Sequence, residues 1–80
     1  MIEELIIKKV LNGDTEVFRF FVSTYKDLAF SVAVSVVKDE FTAADVVQEA
    51  FVKAFENLKS FKGKSKFSTW FIRIVINESF

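Results

Sequence analysis

The clearest chemistry in this chain lies in nine residues toward its end, Lys59-Ser60-Phe61-Lys62-Gly63-Lys64-Ser65-Lys66-Phe67. Lysines interleaved with phenylalanines suit a polyanion whose flat bases stack on aromatic rings: the ammonium groups hold phosphates and the rings take bases. An apolar segment follows, residues 68–77, in which Thr69, Arg73 and Asn77 recur every four positions. On a helix they form a single polar stripe beside the loop, and the amide of Asn77 can read a base edge. Phe61, Phe67 and Trp70 also have a plainer use, since each suits a core anchor as well as a stacking platform.

No catalytic constellation accompanies these residues. Ser65 sits between Lys64 and Lys66, but nothing desolvates either lysine, so the hydroxyl has no base to activate it. Gly63 lacks the companions of a phosphate-binding loop. The chain contains neither cysteine nor histidine, which removes disulfides, thiolate chemistry, Cys/His zinc sites and imidazole acid–base catalysis together. The carboxylates toward the middle of the chain offer no compact oxygen cage for a hard cation. Binding is therefore the expected activity, with no enzyme function, cofactor or metal.

Charge divides the chain in two. Residues 1–52 carry five basic against nine acidic side chains, net −4, and residues 53–80 carry six against two, net +4. An acidic front and a basic back point to two kinds of partner; a chance gradient of surface charge is the bland alternative. Eighty residues make one small domain near the lower limit for a self-sufficient core. A mean hydropathy of +0.30 is high for such a chain, so some apolar surface is expected to meet a partner or a missing part of a longer protein. The opening Met1-Ile2-Glu3-Glu4 is acidic where a secretory leader would be basic. The longest apolar run, residues 28–37, is half the roughly twenty residues a membrane span requires. The expectation is a cytoplasmic protein with no membrane partner.

Helices must position the loop, because proline is absent and the only glycines are Gly13 and Gly63. Ile2, Leu5, Ile6 and Val10 predict a first short helix stopped at Asn12-Gly13. Asp14 then caps a second helix over residues 15–37, apolar around nearly its whole circumference and hence central. Its β-branched end, residues 32–37, suits a strand by propensity, but no turn separates it from the helical pattern before it. After a short connection at residues 38–41, Thr42-Ala43-Ala44-Asp45 fits a capping pattern opening a third helix over residues 43–58. There Val46, Ala50, Ala54 and Leu58 form one row, with Val47, Phe51 and Phe55 beside it. The opposite face carries Asp45, Gln48, Glu49, Val52 and Glu56, an acidic strip with a valine in its middle. A solvated face would not need that valine; a basic helical partner would cover it. A fourth helix runs from Ser68, its expected cap, with Trp70, Phe71, Ile74 and Val75 inward. The predicted fold is all-α: a compact bundle of about four helices with a basic loop before the last.

The motifs together resemble region 2 of bacterial sigma factors, most closely the small extracytoplasmic-function group within the sigma-70 class. The matching pieces are Asp45-Val46-Val47-Gln48-Glu49-Ala50-Phe51, Lys62-Gly63-Lys64-Ser65-Lys66-Phe67-Ser68-Thr69-Trp70 and Arg73-Ile74-Val75-Ile76-Asn77. Asn12-Gly13-Asp14 also fits, so the resemblance covers nearly the whole chain. It implies a transcription initiation module that docks on the beta-prime clamp helices of core RNA polymerase and opens the promoter minus-ten element around a flipped non-template base. Carried over by position, Asp45, Gln48, Glu49, Val52 and Glu56 would face the polymerase. Phe61 to Phe67, with Asn77 behind them, would line the base pocket. Lys62, Lys64, Ser65, Lys66, Thr69, Trp70 and Arg73 would hold or shape the single-stranded promoter DNA. An anti-sigma factor is a further implied partner. Members often have additional acidic residues where this chain has Thr42 and Ala44, which implies a weaker or shifted polymerase contact. Residues 1–80 read as a region 2 fragment of a longer protein, without the helix-turn-helix domain for the minus-thirty-five element and with an exposed surface open to self-association. A helical protein–protein adaptor with a merely solvated loop is the alternative.

Overall fold

A computed structural model describes residues 2–80. Four α-helices follow one another: α1 (Ile2–Leu11), α2 (Arg19–Val37), α3 (Glu40–Glu56) and α4 (Phe67–Glu78). Single 3-10 turns at Thr15–Phe18 and Leu58–Ser60 precede α2 and follow α3, and no strand occurs among the described residues. The β-branched stretch is helical, as expected where no partner strand exists to pair with it. α2 packs against both α3 and α4, and α3 against α4.

Helix boundaries depart from the sequence expectations in three places. Asp14 precedes a 3-10 turn and makes no side-chain cap bond. α3 starts earlier than expected, because Asp39 rather than Thr42 is its cap. One carboxylate oxygen of Asp39 accepts from the Thr42 amide at 2.8 Å and from the Thr42 hydroxyl at 2.6 Å. Those two bonds hold the Asp39 carboxyl below its usual range. The connection from α2 shrinks to Lys38 and Asp39, with Lys38 left-handed at φ 63°. At the far end, α4 begins at Phe67 with Lys66 in the cap position and no side-chain cap bond, so Ser68 lies inside the first turn. Burial of Phe67 draws that turn forward.

The core is aromatic where α2, α3 and α4 meet. Phe67 stacks on Phe21 at 3.9 Å between ring centres and lies 5.8 Å from Phe71, which stacks on Phe51 at 4.5 Å. Ala29, Ala33, Ala43, Ala50 and Ala54 are fully buried and let the helices approach closely. In α3, Phe51 is buried and Val47 half-buried, whereas Phe55 keeps partial exposure while packing edge-on to Phe18. Leu58 is buried from the 3-10 turn that follows.

Residues Thr15–Val37 form 23 continuous helical residues, long and apolar enough by length and composition to cross a membrane. The apolar run of residues 28–37 understates this segment, because Lys26 and Asp27 end the run without breaking the helix. The expectation that this helix is covered on most sides does not hold. It packs against α3 and α4 with Phe21, Ala29 and Ala33 wholly enclosed, but most of its length, Leu28 included, keeps some exposure.

Candidate nucleic-acid interface

Gly63 makes the basic loop possible. Its φ of 73° is the left-handed conformation that favours glycine, and the loop folds back there toward α4. Lys62, Lys64 and Lys66 are exposed, and Ser65 is half-buried with its hydroxyl donating to the Lys66 carbonyl at 3.3 Å. All three lysines are thus open to solvent, and Lys64 and Lys66 line one cavity.

The loop's aromatic residues separate in role. Phe67 is 2% exposed and enclosed by Phe21, Tyr25 and Phe71. No face remains for a base, so its part in the site is to hold the loop on the core. Phe61 and Trp70 are half-buried, their rings 5.2 Å apart and tilted. Phe61 also meets Phe67 edge-on at 6.1 Å. These contacts tie the loop's entrance to α4.

The polar stripe of α4 is exposed throughout, at Thr69, Arg73 and Asn77. Asn77 meets the basic loop at its entrance, Ser60, rather than at residues 63–66. It lines a separate groove of about 380 Å³ with Lys53, Asn57, Ser60, Trp70, Ile74 and Glu78. The reason is helical geometry: Asn77 stands two turns beyond Thr69 and faces α3 rather than the tip of the loop. At this groove Lys53 pairs with Glu78 at 2.6 Å, joining α3 to α4 and raising the Lys53 pKa. The Asn57 side-chain amide donates to the Lys53 carbonyl at 2.9 Å. The groove thus combines an aromatic ring, two amides and an ion pair, groups able to stack on a base and read its edge. Lys53, Asn57 and Glu78 were legible only as surface residues, since their meeting depends on how α3 crosses α4.

On α3, Asp45, Gln48, Glu49, Val52 and Glu56 all face outward, with Val52 44% exposed. The strip extends one turn further toward the start of the helix. Phe41 is 87% exposed four residues before Asp45, and the Asp39 cap places it in the helix rather than in the connection predicted over residues 38–41. An acidic strip bearing two uncovered apolar side chains is shaped for a cationic, partly apolar partner helix.

The Sigma-70 region 2 family model matches residues 21–80. The ECF RNA polymerase sigma factor SigW of Bacillus subtilis is 39% identical over 71 residues, covering 89% of this chain and 38% of that protein. The ECF RNA polymerase sigma-E factor of Escherichia coli K12 is 38% identical over 75 residues, covering 94% of this chain and 39% of that protein. This chain therefore spans less than half the length of these relatives. Among solved structures, an engineered region 2 of sigmaE in complex with GTAAAA superposes with a TM-score of 0.88. It is 35% identical, with 99% of this chain and 82% of that one covered.

Proposed function

Because the chain belongs to the sigma-70 region 2 family, we propose that it is a transcription initiation module that binds core RNA polymerase and single-stranded promoter DNA. The observation that carries the DNA half is the groove where Trp70, Asn57 and Asn77 converge beside a loop of exposed lysines. A flipped non-template base of the minus-ten element enters the groove, stacks against Trp70 and is read by the Asn77 amide. Unstacking a base costs a few kcal/mol, which a preformed pocket next to cationic phosphate contacts can offset. Lys62, Lys64, Lys66 and Arg73 hold the flanking backbone, while Ser65 and Thr69 supply polar contacts to it. Phe61 steadies Trp70, and Phe67 anchors the loop.

Polymerase docks on the α3 strip through Asp45, Gln48, Glu49, Val52 and Glu56, against the beta-prime clamp helices. The acidic front and basic back thereby serve two partners. An anti-sigma factor competes for one of these faces, and Phe41 and Phe80, 87% and 91% exposed, offer a route to self-association. The chain acts in the cytoplasm without catalysing a reaction, as one module of a longer protein carrying a second DNA-binding domain. The test is a holoenzyme assembled from core polymerase and this chain, with single-stranded minus-ten oligonucleotides carrying a photo-crosslinker at each base. Crosslinks to Trp70 and Asn77 are expected, along with at least tenfold weaker binding by Asn77→Ala. If polymerase binding persists while no DNA crosslinks form, the chain is a protein–protein adaptor instead.

A further inference from the structure

The lysine loop has a second cavity on its other side. It encloses about 610 Å³ between Phe61 and residues 63–68 on one wall and Glu3, Glu4 and Ile7 of α1 with Tyr25 of α2 on the other. Phe61 lines this cavity and Trp70 lines the Asn77 groove, so one ring pair separates the two. A carboxylate facing the lysines of a nucleic-acid loop lowers the local positive potential and works against phosphate binding. Glu3 is nevertheless held in that place. The Tyr25 hydroxyl donates to its Oε2, and Ile6, Ile7 and Val10 seat α1 on the core. With burial, this bond pushes the Tyr25 pKa up to about 12, so the phenol stays a donor. Carboxylate oxygens have lone pairs to spare, so Glu3, which lines the cavity, keeps acceptor capacity beyond the Tyr25 bond.

We propose that this cavity is a second base-binding site for an unpaired base bearing an exocyclic amino group, with Glu3 accepting the amino N–H. Lys64 and Lys66 hold the adjacent phosphates. The proposal rests on the single-strand reading above and adds a selectivity that the amide groove does not supply. Carboxylates pair with the amino group of cytosine, and an adenine amino group offers the same donor; thymine presents an oxygen there and is repelled.

The experiment uses the holoenzyme and single-stranded minus-ten oligonucleotides in which each position is cytosine, adenine or thymine in turn, read by fluorescence polarisation. At one position the amino-bearing bases should bind about tenfold more tightly than thymine, as one good base-edge contact implies. Glu3→Gln should flatten that preference to under twofold, because its amide can also donate to thymine. Overall affinity should hold or rise with the loss of negative charge. Tyr25→Phe should weaken the preference several-fold by freeing the carboxylate. An unchanged base profile in Glu3→Gln overturns the proposal, as does an equal loss of affinity for every oligonucleotide, which would mark Glu3 as merely structural. Asn77→Ala separates the two sites by altering preference at a different position. A profile sensitive to Asn77 but not to Glu3 removes only the second site. Failure of the wild-type holoenzyme to bind any single strand removes the underlying reading as well.

Discussion

Replacing Phe67 with leucine separates the two uses an aromatic ring in this loop could have. The ring stacks 3.9 Å from Phe21 and contacts Phe71, Trp70 and Phe61 besides. Leucine keeps most of the apolar burial but removes these ring pairs, each worth about 0.5–1.5 kcal/mol beyond area. Pair terms within one cluster do not add, and a change of shape in a packed core costs under about 1.5 kcal/mol. A net loss of about 2 kcal/mol is the result. A domain of this length holds roughly 4–12 kcal/mol in total, so the variant still folds. Its thermal midpoint should fall by roughly 8–16 °C. Alanine would remove about 3–5 kcal/mol and unfold too much of the population to be informative. Circular dichroism gives the midpoint, and oligonucleotide affinity is then measured well below it. Affinity per folded molecule should stay within about twofold of wild type. An unchanged midpoint with a tenfold loss of affinity would show that the ring faces DNA and would refute the packing account.

Three further outcomes follow from charges on the surface. Glu49→Lys places a like charge against a cationic partner helix and should weaken binding to the polymerase clamp at least tenfold with helicity intact; surface plasmon resonance at several salt concentrations checks this. Lys64→Ala should lower the slope of log affinity against log salt by about 0.7, one single-strand phosphate contact, at every oligonucleotide sequence tested. Asp39 has a lowered folded-state pKa, so its capping contribution is complete above its unfolded value, near 3.9, and is lost as pH falls through the folded one. Asp39→Asn should therefore flatten the acid limb of the stability–pH curve below about pH 4, as read by urea titrations.

The four helices were legible because apolar residues recur at helical spacing and only two glycines interrupt them. Boundaries were less so. Thr42 and Asp39 can each cap a helix, and the choice fell to Asp39 because a start at Glu40 still buries Ala43 and Val46 while accepting an exposed Phe41. For the candidate site, the sequence showed which residues were polar and exposed but not how they would divide. Asn77 and the loop are adjacent in the linear pattern, yet the rotation of α4 assigns them to different cavities. In the sequence Glu3 is part of an acidic opening, and Tyr25 is one residue of a helix apolar on most sides. Only the docking of α1 against the two 3-10 turns brings Glu3 to Tyr25 and to a loop some sixty residues further along the chain.

The link of Lys38 and Asp39 is the shortest connection between two α-helices in the molecule, and it sets an order of assembly. Closing so small a loop costs little chain entropy, so the α2–α3 hairpin is a local event. It already brings together Ala29, Ala33, Ala43 and Val46, all buried. α4 must instead return across the lysine loop before the stack from Phe21 through Phe67 and Phe71 to Phe51 is complete. Folding is expected to start in this hairpin and finish at α4. Substitutions at Ala33 or Val46 should then slow refolding, whereas Val75→Ala should chiefly hasten unfolding. Equal effects on both rates from the two helices would contradict that order. In that order, the proposed DNA-facing surface is the last part of the protein to close and the first to open.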